Sequence, residues 1–123
     1  MHPCVCECTH PNLTIRCILS KQHNTAGFVL YFYNFSTFVG KNGIYIEDLY
    51  VREPFRKRGY GTLLLQQLCQ VAKREDCGRI EWWCLDWNKN AIEFYTTKLE
   101  AEAMDEWTVY RLDSEKIERI ANA

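Results

Sequence analysis

At 123 residues, 47% apolar and 14% aromatic, the chain can fill one core and is short for two ordinary domains, so residues 1–123 read as a single domain. A formal net charge of −1, with the one basic run from Arg52 to Arg58 short and the rest of the chain balanced, makes nucleic acid a poor partner. No apolar run approaches the ~18 residues of a membrane span, no secretory leader pattern is present, and the cysteine count of seven is odd, so a cytoplasmic, reducing setting is expected, with any disulfide an oxidation artefact.

In chain order, a Cys-rich strand is expected from Val5 to Thr9, a second short apolar run from Leu13 to Leu19, a polar turn from Lys21 to Thr25, and a strand from Gly27 to Phe35. Cys4, Cys6 and Cys8 alternate with other residues, and His2 and His10 extend the same period, so all five share one strand face. Sulfurs about 7 Å apart along a flat strand do not converge on an ion as a C-x-x-C knuckle does. Cysteine as a small hydrophobe on a buried face is the expected role, and no metal is assigned.

The next segment, Gly43 to Val51 (GIYIEDLYV), is rich in β-branched and aromatic residues yet carries Glu47 and Asp48 side by side. Alternation sends neighbours to opposite faces, so one carboxylate is expected to meet an apolar layer unless the strand is kinked. Desolvation there would raise its proton affinity and make it a base; the plainer reading is one carboxylate at the sheet surface and one held by a backbone donor. A helix follows from Gly61 to Glu75, with Leu64, Leu65, Leu68, Val71 and Ala72 on one side. Asp76-Cys77-Gly78 ends it, Arg79 to Leu85 is a further strand, and Asp86-Trp87-Asn88 leads into a short helix from about Asn90 to Thr97. A strand-helix-strand crossover makes its two strands parallel, with ligands expected at their carboxyl ends. Val109 to Leu112 is expected as a last strand, and Asp113 to Ala123 as a polar tail of one or two helical turns anchored by Ile117 and Ile120.

Between strand and helix lies Arg56-Lys57-Arg58-Gly59-Tyr60-Gly61. Glycine permits φ > 0 and close backbone approach, the first N–H groups of a helix are free, and the helix dipole favours an anion there. A Walker loop fails on spacing, and the third position of a dinucleotide-binding turn is filled by Leu64. Diphosphate binding remains, beside the plain alternative of a connector whose basic residues are solvated.

With Arg56-x-x-Gly59-x-Gly61 after a strand, the chain resembles the GNAT acyl-CoA-dependent N-acetyltransferases, whose pyrophosphate loop has the form Arg/Gln-x-x-Gly-x-Gly/Ala. Tyr45 to Val51, Leu85-Asp86-Trp87-Asn88, Phe94-Tyr95 and Met104-Asp105-Glu106-Trp107 are similar to the diamine (spermidine/spermine) and thialysine branch, from about Gly27 to about Asp113. The resemblance implies a mixed α+β fold: a central, mostly antiparallel twisted sheet with a splayed parallel pair and flanking helices, N-terminally shortened. It implies acetyl-CoA as co-substrate without a metal, transfer by direct attack to a primary amine of polyamine, diamine or thialysine type, and a homodimer. By motif position, Leu49, Tyr50 and Val51 hold the pantetheine arm, and Arg56, Lys57, Arg58, Gly59, Tyr60, Gly61 and Thr62 hold the pyrophosphate. Glu47 becomes the base, through a water, because a free alkylammonium of pKa about 10 must lose a proton before attack. Tyr95 becomes the acid, although the residues alone leave it an aromatic on a packed face. Asn88 has two expected jobs, capping a helix and bonding the pantetheine amides. Glu47, Asp48, Asp105 and Glu106, with the Trp107 indole over an alkylammonium, are the acceptor-site candidates, against the plain reading of solvated acids.

Two departures qualify the resemblance. Family members begin with a strand and two helices that wall the acceptor site, where this chain has strands from near His2-Pro3. Either a partner subunit completes the wall, or the site is open, or the chain is a fragment; the alternative to an enzyme is a truncated or degenerate GNAT module that binds CoA or a protein partner without turnover. Strands left unpaired favour association or strand exchange. The family also closes the helix after its Phe-Tyr pair with a glycine, and Thr96 to Ala101 has none and is one residue longer. That helix is expected to run on or to end in a strained turn, with the pairing of Val109 to Leu112 shifted.

Overall fold

The computed structural model describes residues 4–19 and 24–123. His2, Pro3 and most of the expected turn at 21–25 lie outside them. The chain divides into two compact units, Met1–Leu85 and Asp86–Ala123, taken here in turn.

In the first unit, β1 (Cys4–His10), β2 (Leu13–Leu19), β3 (Thr25–Ser36), β4 (Lys41–Val51) and β5 (Ile80–Glu81) form one sheet in that order. Neighbours are antiparallel except β4 and β5, which the crossover helix α1 (Tyr60–Arg74) makes parallel as the sequence predicts. The pairs Val29–Leu49, Tyr31–Ile46 and Tyr33–Ile44 alternate with Phe28–Tyr50, Leu30–Asp48 and Phe32–Tyr45, so the two sets stand on opposite faces. On the first face Leu64, Leu65, Leu68 and Val71 of α1 meet Ile18, Val29, Tyr31, Ile44 and Ile46, all buried. Each such side chain contributes about 1.5–3 kcal/mol, and truncating Leu68 to alanine costs about 2–5 kcal/mol.

Three expectations change in this unit. Leu30 pairs with Asp48 and Tyr31 with Ile46, which leaves Glu47 as the extra residue of a β-bulge. The bulge breaks alternation, and both Glu47 and Asp48 are exposed, so no carboxylate enters the apolar layer. The strand expected from Arg79 to Leu85 shrinks to Ile80 and Glu81, paired with Ile44 and Tyr45. A bulge bends its strand, and β4 bends immediately after that pairing, so the ladder has nothing to continue on. Finally, the row Cys6–Cys17–Phe28–Tyr50 lies on the face that α1 does not cover. Cys6 and Cys8 are therefore exposed and Cys17 half-buried, in place of the expected buried cysteine face.

In the second unit, α2 (Lys89–Glu93) runs directly into a π-helical turn, Phe94–Lys98, together covering the predicted short helix. The tail forms α3 (Ser114–Ala121), capped by Asp113, whose carboxylate accepts from the Lys116 N–H at 2.9 Å. Val109 to Leu112 is not a strand: no ladder partner is present among the described residues and its side chains are exposed, so its alternating pattern has no surface to be buried against. No helix of the described residues is long and apolar enough to cross a membrane.

Candidate functional site

The end of β4 carries the site of the first unit. Its pairing with β5 stops at Tyr45; Leu49, Tyr50 and Val51 pair with Val29, Phe28 and Gly27 of β3, and among the described residues no strand lies on their other edge. Gly27 lets the two backbones close up: a Cβ there would sit 2.6 Å from the Tyr50 carbonyl oxygen. Arg52 then turns the chain, donating its N–H to Ala26 O at 2.8 Å and its Nη1 to Thr25 O at 3.2 Å. A 3₁₀ turn, Glu53–Phe55, delivers Arg56.

Arg56 does two things at once. Its Nε donates to Val51 O at 2.8 Å, and its guanidinium lies 5.6 Å from the centroid of the Tyr50 ring, so it ties the loop back to the strand end. Arg52 and Arg58 lie 5.7 and 5.9 Å from the Phe55 centroid, and Phe55 meets Tyr60 edge-on at 6.1 Å. Aromatic faces thus hold three guanidinium groups around one short loop. Lys57 and Gly59 both take positive φ, 60° and 82°, on either side of Arg58. Alternating left-handed residues gather successive N–H groups into an anion-binding nest. The Leu63 N–H is taken by Gly59 O at 3.0 Å, so those of Tyr60, Gly61 and Thr62 precede the first helical bond and face out of the α1 N-terminus. Gly59 supplies the predicted left-handed turn, whereas Gly61 is helical. Sequence reasoning missed the second left-handed position, because nothing marks a lysine for it.

Glu47 and Asp48 lie just before this strand end, exposed, beside an aromatic cluster. Tyr45 packs 5.1 Å from Phe32 and edge-on 5.8 Å from Trp83, and burial first, then the nearby Glu47 and Glu81, pushes its phenol above the usual tyrosine range. Tyr45 and Trp83 belong to this surface and were not among the predicted site residues; the bulge at Glu47 suspends strand alternation there, so the sequence period gave no signal for them.

Within the second unit, Asn88 caps α2, its Oδ1 accepting from the Ala91 N–H at 3.3 Å. Tyr95 stands in the π turn with its ring 5.7 Å from Phe94, and its carbonyl accepts from the Ala101 N–H at 2.9 Å. Asp105 and Glu106 occupy an exposed turn closed by Trp107 N–H to Met104 O at 3.2 Å. Among the described residues no group of three or more His, Cys, Asp or Glu could hold a metal ion.

A basic nest at the start of a helix, beside a strand end left unpaired on one edge among the described residues, is an arrangement suited to an anionic group. The Acetyltransferase (GNAT) family profile matches residues 4–100, and the chain belongs to that family. It is 44% identical over 95 residues to the L-ornithine N5-acetyltransferase NATA1 of Arabidopsis thaliana, covering 77% of this chain and 41% of that protein. Against the thialysine N-epsilon-acetyltransferase of Caenorhabditis elegans it is 37% identical over 99 residues, 79% of this chain and 61% of the other. The chain thus spans between 41% and 61% of these relatives' own length. Among solved structures, an integron cassette protein from the mobile metagenome of V. cholerae matches with a TM-score of 0.83 at 24% identity, over 93% of this chain and 69% of that one. A ribosomal-protein-alanine N-acetyltransferase from Brucella melitensis matches with a TM-score of 0.70 at 18% identity, over 83% and 71%. These two likenesses concern the fold, which is the mixed α+β arrangement expected.

Proposed function

We propose that the chain is an acetyl-CoA-dependent N-acetyltransferase acting on the primary amine of a small cationic molecule of the ornithine, thialysine or polyamine class. The observation that carries this reading is the loop at Arg56 to Thr62: two left-handed residues, free helical N–H groups and stacked arginines gather at one basic strand end. That donor set suits a pyrophosphate, and Leu49, Tyr50 and Val51 present an open backbone edge to a pantetheine amide chain.

Acetyl-CoA supplies an acetyl thioester. Glu47 takes the ammonium proton through a water, a role suited to an exposed carboxylate, and Tyr95 gives its phenol proton to the departing thiolate. With reference pKa values of about 10 for the phenol and about 8.5 for a thiol, the phenol stays protonated at neutral pH until that moment. Glu47 and Asp48 attract the acceptor's charge beside the Tyr45 and Trp83 rings; Asp105, Glu106 and Trp107 are the further acceptor contacts, and Asn88 a further contact to the pantetheine arm. The whole chain, 1–123, acts as one domain in the cytoplasm, without a metal and as a homodimer, β1 being a sheet edge open to pairing.

Calorimetric titration with CoA, followed by thiol-release assays on ornithine, thialysine, spermidine and spermine, tests the reading. Binding and amine-dependent thiol release are expected. Binding without turnover replaces the enzyme by a CoA-binding module, and no binding at millimolar CoA removes the reading of the loop.

A further inference from the structure

β1 and β2 are paired residue for residue, and the register sets Cys6 directly opposite Cys17. Directly opposed residues of an antiparallel ladder have Cα atoms about 4.5 or 5.5 Å apart, and both spacings fall inside the ~4.4–6.8 Å that a disulfide spans. Paired residues project to the same face, so the two thiols stand side by side across the ladder. Cys8 stands opposite Ile15, the next pair along the same face. Such diagonal neighbours are about 7–8 Å apart, outside the range a disulfide closes without moving backbone.

Exposure divides the labour. Cys6 is open to solvent and Cys17 is half-buried. A buried apolar role is closed to Cys6, because α1 covers the other face of the sheet.

We propose that Cys6 and Cys17 are a reversible redox pair, joined by a cross-strand disulfide when glutathione disulfide rises. The Cys6 thiolate attacks one glutathione sulfur, breaking that S–S bond and releasing a glutathione thiolate. Cys17 then loses its proton to water, and its thiolate attacks Cys6 Sγ and expels the second glutathione thiolate. Two protein thiols are oxidised and one glutathione disulfide is reduced to two glutathiones. Burial and the neighbouring Cys6 and Cys8 thiols hold the Cys17 thiol above the usual range, so the exposed Cys6 attacks first and Cys17 follows only once the mixed disulfide is held beside it. The bond staples the edge strand β1 to its neighbour.

Trypsin separates the two partners, since cleavage after Arg16 puts Cys4, Cys6 and Cys8 on fragment 1–16 and Cys17 on fragment 17–21. The folded protein, oxidised with glutathione disulfide and digested without reduction, is expected to yield these fragments joined, with the joined species lost after dithiothreitol. Cys4→Ser and Cys8→Ser keep it, and Cys6→Ser abolishes it; because Cys6 is exposed, that variant keeps the fold even if Cys17→Ser does not. The proposal is overturned if the joined fragments persist in Cys6→Ser, if they arise only between chains, or if Cys6 ends as a stable glutathione adduct with Cys17 still alkylatable.

Discussion

Lys57, Asp76 and Glu100 hold positive φ without being glycine, at 60°, 54° and 54°. A left-handed L-residue costs roughly 1–2 kcal/mol, so each position is a small store of strain. Glu100→Gly is therefore expected to stabilise the second unit by about 0.5–1 kcal/mol, the relief of strain exceeding the added freedom of the unfolded chain; a urea midpoint series against the parent measures it. The converse change falls on the loop. No atom lies within 4 Å of a Cβ built on Gly59, so Gly59→Ala meets no clash and pays only for its φ of 82°. It should lose about 1–2 kcal/mol of stability and, if the nest holds a pyrophosphate, roughly tenfold in CoA affinity by calorimetry. The missing glycine after Tyr95 was visible in the sequence as an absence. That Glu100 itself adopts the left-handed turn was not visible, because the site is set by the π turn before it, whose extra residue also takes up the longer spacing.

At the scale of elements, existence was legible and length was not. The apolar spacing of Leu64, Leu65, Leu68 and Val71 defines α1 by itself, whereas the extent of β5 depends on where β4 bends, which is a tertiary matter. The bend also explains why the carboxylate pair was misplaced: alternation was applied through a bulge. Arg56 joins strand to loop, and its planar fork both bonds Val51 O and stacks on Tyr50. A lysine keeps the charge and loses the stack, so Arg56→Lys is expected to weaken CoA binding about tenfold with thermal stability little changed. For α3, hydrogen bonds from the Lys116 ammonium and then from its backbone N–H hold the Asp113 carboxyl below the usual carboxylate range. A lowered folded pKa gives a contribution present above the ordinary carboxylate value and lost as pH falls through the lowered one. The Lys116 amide is expected to lose hydrogen-exchange protection across that acid window, and Asp113→Ala to remove the pH dependence.

At the scale of the whole molecule, the crossover rule made the parallel pair legible, and the motif order made the family legible before any coordinate. What escaped was Val109 to Leu112, since a β-pattern declares a strand only when an edge is there to receive it. The single-domain proposal has a direct check. Thermal unfolding followed at once by far-ultraviolet dichroism and by amides in residues 4–85 and 86–123 is expected to give one coincident transition, and separated midpoints would split the chain into independent folding units. The homodimer is checked by sedimentation at several concentrations, with Lys or Pro substituted at β1 expected to favour the monomer.

The bulge at Glu47 makes one residue of β4 redundant for pairing. Removing it outright, rather than replacing it, would leave Ile46 opposite Tyr31 and Asp48 opposite Leu30, every cross-strand partner unchanged. A deletion inside a central strand normally turns all later side chains over; here it would only straighten the strand and let β5 lengthen beside it. The carboxylate proposed as the base thus sits on a position that the β3–β4 ladder can spare.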